Sequence, residues 1–141
     1  MRNKWLWWVL AALIGVPTAF FALYILVFVG FFLVAPTAED YSHRTTFDGK
    51  AWRDRSLDHD PGWPTRLRMV DDLIAKHQLD GVSRDQILLL LGPADETGKW
   101  KDWDLVYWLG PERGVFRIDS EWLVIRFDRA GRGSSYEIVR D

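Results

Sequence analysis

Polar and apolar residues are distributed very unevenly along this chain. The thirty residues from Trp5 to Val34 carry no charged side chain, and from Val9 onwards Thr18 and Tyr24 are almost the only polar ones. Hydrocarbon offers peptide groups no hydrogen-bond partner, so a run of this length is stable in a bilayer as a helix that satisfies its own backbone. The pattern predicts a single transmembrane anchor over residues 1–35.

A cleaved signal peptide is the alternative interpretation of this run. Signal peptides have an apolar core of about 7–15 residues followed by a site with small residues at positions −1 and −3. This apolar core is about twice that length. The nearest candidate site, before Glu39, has Ala38 at −1 but Pro36 at −3, which is a poor match. An uncleaved anchor is therefore the prediction.

The orientation of the anchor rests on the basic residues at its two ends. Arg2 and Lys4 precede it with no acidic residue nearby. Four basic residues follow within about 20 positions, so a plain count does not favour a cytoplasmic N-terminus. These four residues lie at the start of the predicted folded domain, so we give them less weight in assigning the orientation. They are Arg44, Lys50, Arg53 and Arg55. We predict an inner- or plasma-membrane protein with a cytoplasmic N-terminus and an extracytoplasmic domain.

Small residues recur at a spacing of four within the anchor, at Ala11, Gly15 and Ala19. Such a stripe lets another transmembrane helix approach closely. A second hypothesis follows, in which the chain is a helix-pairing subunit of a membrane complex and works through this helix.

Residues 36–64 are interpreted as a linker and an irregular lead-in to the domain, with Trp52 and Trp63 suggesting that it lies on the domain surface. Residues 65–77 then show apolar positions at helical spacing. Ser83 and Gln86 form a capping box in front of a short apolar helix, which Gly92 and Pro93 end.

Strand patterns occupy the remainder of the chain. Residues 103–109 and 122–127 alternate between apolar and polar positions, and residues 136–139 close the series. Gly110-Pro111 is expected to end the first strand, and Asp128 to Gly131 to form a hairpin turn. Residues 65–141 are therefore predicted to fold as a small α+β domain, with two helices packed on a three-stranded antiparallel sheet in two layers.

Composition excludes several classes of function. The chain has no cysteine, which excludes disulfides, a thiol nucleophile and a lipidated N-terminal cysteine. All twenty acidic residues and sixteen of the eighteen basic ones follow the anchor, with the signs interspersed. Because the charges are interspersed, the sequence shows no basic patch of the kind that binds nucleic acid.

The order of these signals resembles the SmpA/OmlA-type domain, the family of the BamE subunit of the outer-membrane barrel-assembly machine. The β-lactamase inhibitor protein contains a similar domain in duplicate. The similar segments lie within about residues 66–141, and this chain has a transmembrane helix where the barrel-assembly subunit has a lipidated cysteine. The resemblance implies a non-enzymatic, protein-binding scaffold of the bacterial cell envelope. The segments that carry it are residues 79–87, 90–95, 106–110 and 123–128, with Gly131.

Candidate chemistry is sparse. Asp58-His59-Asp60 is the one compact cluster of potential ligands, and a small enzyme or metal site centred on His59 is a third hypothesis. No further ligand stands at a recognisable metal spacing, so a solvated turn before Pro61 is the preferred interpretation. The carboxylates of Asp119 and Glu121 are interpreted as the polar flank of a sheet. We predict no catalytic residue, no metal and no cofactor.

Aromatic residues supply the last candidate site. If helices cover one face of the sheet only, Trp108, Trp122 and Tyr136 are candidates for exposure on the other, with Arg126 and Arg140 at its rim. Aromatic residues and arginine are enriched at binding hot spots. The alternative is that the lead-in, through Trp52 and Trp63, covers this face. We predict a partner-binding site formed by Trp108, Trp122, Arg126 and Tyr136.

Overall fold

The computed structural model describes residues 3–114 and 116–141, without the side chains at positions 6, 10–12 and 33–37. The chain divides into two compact units. The first ends at Glu39, and the second comprises Asp40–Asp141.

The first unit is helical. Helix α1 spans Lys4–Val29 and a π-helical turn spans Gly30–Val34. Pro17 lies inside α1, and the next residue, Thr18, donates its hydroxyl to the carbonyls of Ile14 and Gly15 at 3.0 and 2.9 Å. The stretch Trp7–Phe32 is long and apolar enough to span a membrane, a property that an N-terminal signal sequence shares.

Short helices precede the sheet, and the region predicted to be irregular contains some of them. Asp48 caps the helix that contains Trp52, because its carboxylate accepts a hydrogen bond from the amide of Ala51 at 2.7 Å. The helices are α2 (Ala35–His43), α3 (Gly49–Arg53), a 3-10 turn (Arg55–Leu57), α4 (Thr65–Ala75) and α5 (Arg84–Leu91).

The two predicted helices of the domain are present as α4 and α5. Helix α4 ends two residues earlier than predicted, and His77 adopts a left-handed conformation with φ 51°. The capping box of α5 is confirmed. Ser83 Oγ accepts from the amide of Gln86 at 3.4 Å, and Gln86 Oε1 accepts from the amide of Ser83 at 3.2 Å. Gly92, at φ 79°, follows the last turn as predicted.

Three strands form an antiparallel sheet in the order β1-β2-β3: Leu105–Pro111, Ser120–Phe127 and Gly133–Arg140. The predicted α+β class is confirmed. Strand β1 continues two residues beyond the predicted end at Leu109, because Gly110 and Pro111 pair with Glu121 and Ser120 after a bulge. Gly110 has φ 156°, and a Cβ there would lie 2.9 Å from Pro64 Cδ, so the sequence tolerates only glycine at this close approach.

The core lies between one face of the sheet and the helices. Helix α4 contributes Leu67, Val70 and Leu73, and β2 contributes Leu123 and Ile125, all at most 1% exposed. Both tryptophans of the lead-in also belong to this core. The remaining buried members are Trp52, Trp63, Leu79, Ile87, Leu91, Leu105, Tyr107 and Leu109.

Arg66 brings a charge into this core and has partners there. Its guanidinium lies 5.6 Å from the ring of Trp52 and 5.5 Å from the ring of Tyr107. It donates to the carbonyl of Trp52 at 3.2 Å and to Asp95 at 3.0 Å. Burial lowers the pKa of Arg66, and the neighbouring Asp95 carboxylate opposes that effect. The ion pair therefore connects the lead-in, α4 and the loop before β1.

We expect Tyr107→Phe to lower the free energy of unfolding by about 1–2 kcal/mol at neutral pH, because the buried hydroxyl donates to the carbonyl of Gly92 at 2.9 Å. Burial raises the pKa of Tyr107 to about 12. The folded protein therefore binds a proton above pH 10 that the unfolded chain releases, and wild-type stability falls between about pH 10 and 12. Denaturant unfolding at pH 8 and 11 should show a smaller difference between wild type and variant at pH 11. An unchanged difference would contradict the assignment.

Candidate protein-interaction surface

Strand alternation places two tryptophans side by side on the sheet face that points away from the core. Trp108 of β1 lies directly opposite Trp122 of β2, and the neighbouring pair is Val106 and Val124. Residues directly opposite in an antiparallel pair project to the same face. Both valines are buried, whereas both tryptophans are half-buried. We call this side of the sheet the outer face.

Trp108 is held in place through its backbone. Its amide donates to Asp95 Oδ2 at 2.6 Å, and the same oxygen accepts from Arg66. The guanidinium of Arg55 lies 5.3 Å from the centre of the indole ring, on its face. Arg55 also pairs with Asp58 at 3.2 Å. The backbone of Trp108 is thus held by Asp95, and its ring meets the exposed cation of Arg55.

Trp122 is fixed by the end of the chain. Its Nε1 donates to Asp141 Oδ1 at 3.2 Å. The ammonium of Lys99 lies 5.9 Å from the ring centre and forms an ion pair with the same carboxylate. Each of the two opposed tryptophans therefore has a cation over its ring.

Arg126 lies on the outer face, two residues beyond Val124, and is exposed. Its guanidinium lies 4.5 Å from the ring centre of Trp103 and donates to the carbonyl of Asp102 at 2.9 Å. This side of the sheet thus carries three cation–aromatic pairs, which are Arg55 with Trp108, Lys99 with Trp122, and Arg126 with Trp103. We refer to Trp103, Trp108, Trp122, Arg55, Lys99 and Arg126 as the tryptophan–cation surface.

Tyr136 and Arg140 do not lie on this face, so their predicted placement is wrong. Tyr136 pairs with Ile125 and packs against the core, and Arg140 pairs with Glu121. Both partners point towards the helices, and directly opposed residues share a face. The error arises from the register of β3, which shifts between Arg126 and Phe127.

The two tryptophans of the lead-in do not cover the outer face, although Arg55 of the lead-in lies over the ring of Trp108. Trp52 and Trp63 are buried in the core on the helix side. The loop before β1 reaches the outer face instead, because Lys99 contacts Trp122 and Trp103 contacts Arg126. Trp100 and Trp103 were the signals that could have indicated its packing on the sheet.

A cleft of about 310 Å³ borders this surface and contains three arginines. Arg53 donates to the carbonyls of Leu89 and Leu90 at 2.9 and 2.7 Å, at the C-terminal end of α5. Arg55 and Arg66 pair with Asp58 and Asp95 respectively. The guanidinium groups thus stabilise the domain itself, and the cleft adds a polar rim to the tryptophan–cation surface.

The other predicted candidates are not brought together with further functional groups. Asp58 accepts from the amide of Thr65 and pairs with Arg55, Asp60 accepts from the amide of Gly62, and His59 is exposed. Among the described residues, no group of three or more His, Cys, Asp or Glu side chains could hold a metal ion. The Asp58-His59-Asp60 segment therefore serves as a turn whose carboxylates cap backbone groups.

The small-residue stripe of α1 remains a prediction. Apart from the backbone of its own helix and its chain neighbours, no described atom lies within 4 Å of the position that a Cβ on Gly15 would occupy, and Ala19 is exposed. The side chain of Ala11 lies outside the described residues.

Comparison with protein-family models, curated proteins and solved structures finds no match for this chain. The resemblance to the SmpA/OmlA family is thus an interpretation of the quoted segments. The proposed function therefore rests on the geometry of the second unit.

Proposed function

We propose that this chain is a membrane-anchored, non-enzymatic protein-binding module of a bacterial cell envelope. Its apolar helix would anchor it, and its α+β domain would bind a partner protein on the extracytoplasmic side through the tryptophan–cation surface. Trp108, Trp122 and Arg126 are the residues that we expect to contact the partner.

The opposed pair Trp108 and Trp122 is the observation that supports this proposal most directly. The domain has a separate core on the other side of the sheet, and these indoles lie outside it, half-buried and flanked by cations. Large rigid aromatic side chains next to arginine are the typical composition of binding hot spots. Fixing the rings in advance lowers the entropy cost of binding.

The apolar helix and the resemblance support the cellular setting. A span such as Trp7–Phe32 fits a single-pass anchor. The resemblance of the quoted segments to the SmpA/OmlA family implies an envelope scaffold. One of these segments, residues 79–87, contains the capping box that starts α5.

Photocrosslinking in intact cells tests this proposal. A benzophenone amino acid at position 108 or 122 should capture the same partner protein. The same probe at Leu89, which is 77% exposed on α5, serves as a matched control and should not capture it. With the probe at 108, Trp122→Ala should reduce the yield on the order of tenfold, the effect of a lost hot-spot residue of about 1.4 kcal/mol or more.

Equal capture from positions 108, 122 and 89 would contradict the proposed surface. A reporter fused after Asp141 and active only outside the cytoplasm establishes the side of the membrane in the same strain. A cytoplasmic signal would contradict the extracytoplasmic placement, and the crosslinks would then have to identify a cytosolic partner.

A further inference from the structure

Two of the most exposed apolar side chains of the second unit lie in the connection between β1 and β2. Phe116 is 75% exposed and Ile118 is 82% exposed. Single exposed apolar residues are common on protein surfaces, but two on one short connection are less so. Among the described residues of this unit, the other exposed large apolar side chains are Tyr41, Leu57 and Leu89.

The residue between Phe116 and Ile118 holds this connection against the domain. Arg117 donates to the carbonyl of Gly62, and its guanidinium lies 4.6 Å from the ring centre of Trp63. Arg117 has φ 45°, a left-handed conformation that is uncommon outside glycine. Because the Arg117 side chain packs inwards, its two apolar neighbours face solvent.

The same end of the domain receives the chain from the apolar helix. Trp63, which Arg117 covers, also stacks on His43 with ring centres 4.3 Å apart and an angle of 8°. Burial raises the pKa of Asp40, and the charges of Arg113 and Arg117 act on it in the opposite direction. The connection with Phe116 and Ile118 therefore lies beside the first residues of the unit.

This position limits how far the two side chains can lie from a bilayer. Five residues lie between Val34, the end of the apolar run, and Asp40, so the six steps from one Cα to the other extend to at most about 20 Å. A short tether raises the effective concentration of a surface for a nearby group. If α1 spans a membrane, the lipid surface is the apolar phase nearest to this connection.

We propose that Phe116 and Ile118 insert into the membrane interface and dock this end of the domain on the lipid surface. The inference rests on the proposed anchor. Arg113 pairs with Glu121 and Asp71, and Arg44 pairs with Asp71. Arg117 donates to the carbonyl of Gly62 and lies over the ring of Trp63, so all three cations are engaged by the domain itself. Docking therefore depends on apolar burial, and vesicles of zwitterionic phosphatidylcholine, which has no net charge, are sufficient for it.

Spin-label quenching on the full chain in phosphatidylcholine vesicles tests this inference. The chain has no cysteine, so Ile118→Cys, Leu89→Cys and Ala22→Cys each carry one environment-sensitive fluorophore. Lipids with a shallow spin label should quench the probe at 118 on the order of twofold more than the probe at 89. Adding Phe116→Ser to Ile118→Cys should return the quenching at 118 to the level at 89.

The probe at position 22 separates the two proposals. Quenching at 22 by a deep spin label, together with equal quenching at 118 and 89, would overturn the docking inference and leave the anchor intact. A lack of deep quenching at 22 would overturn the anchor, and docking with it. Blue-shifted emission at 118 without lipid quenching would also overturn docking and assign Phe116 and Ile118 to a protein contact.

Discussion

Trp52→Ala is expected to lower the free energy of unfolding by about 3–5 kcal/mol, the usual cost of removing a large buried aromatic side chain. Trp52 is fully buried although it lies in the segment that precedes the predicted domain. Its ring lies 5.7 Å from that of Phe47 and 6.4 Å from that of Tyr107. The substitution would leave a cavity between α3, α4 and β1, and the guanidinium of Arg66 would lose one of its two aromatic neighbours.

Trp52→Phe provides the matched control. The indole Nε1 of Trp52 is buried and has no hydrogen-bond partner within the part of the chain that the structure describes. Replacing Trp by Phe therefore removes packing contacts but no hydrogen bond, so we expect the free energy of unfolding to fall by about 1–2 kcal/mol. Guanidinium denaturation of the full chain in detergent micelles, followed by near-UV circular dichroism, measures both variants. A loss below about 1 kcal/mol for Trp52→Ala would show that residues 49–53 fold independently of the sheet.

The parts of the fold that depend on local signals could be predicted from the sequence. The capping box of Ser83 and Gln86 fixes the start of α5 through hydrogen bonds three residues apart. The turn after β2 is also local, because Asp128 Oδ1 accepts from the amides of Ala130 and Arg132, and Gly131 has φ 71°. Such signals involve residues that are close together along the chain, so they can be recognised in the sequence alone.

The candidate surface was only partly predictable. Alternation along β1 and β2 is enough to assign Trp108, Trp122 and Arg126 to one face. The position of Tyr136 depends on the register of β3, and a bulge between Arg126 and Phe127 sets that register. A shift of one residue reverses every side chain of a strand. Alternation alone could not reveal this bulge.

Long-range packing was the least predictable part of the structure. Tryptophans at positions 52 and 63 indicated that the lead-in touches the domain, but not which face they contact. Glu121 was interpreted as the polar flank of a strand, yet it is fully buried on the helix side. A carboxylate becomes tolerable there only because basic groups from distant positions surround it. These groups are separated from Glu121 by 8 to 19 residues in sequence.

Glu121→Ala should destabilise the domain by about 3–5 kcal/mol, because it removes the fully buried carboxylate partner of Arg113 and leaves this buried guanidinium paired with the partly exposed Asp71. Arg113 donates to Glu121 Oε2 through Nε at 2.8 Å and to Oε1 through its amide at 3.2 Å. Arg113 also donates to Asp71 at 2.6 Å, and Arg140 donates to Glu121 Oε1 at 3.1 Å. Burial lowers the pKa of Arg113, but hydrogen bonds and charges from Glu121 and Asp71 outweigh it and raise the pKa.

Two further variants distinguish the contribution of the buried Arg113 to stability from that of the exposed Arg140. Arg140 is half-exposed, so Arg140→Ala should cost about 1 kcal/mol or less. Replacing both buried partners, as in Glu121→Leu with Arg113→Met, removes the buried guanidinium together with its buried carboxylate and should recover at least half of the loss caused by Glu121→Ala. Urea denaturation of the full chain in micelles measures all three. If Arg140→Ala were as damaging as Glu121→Ala, the exposed arginine would be the partner that stabilises Glu121. The double variant would then give no recovery.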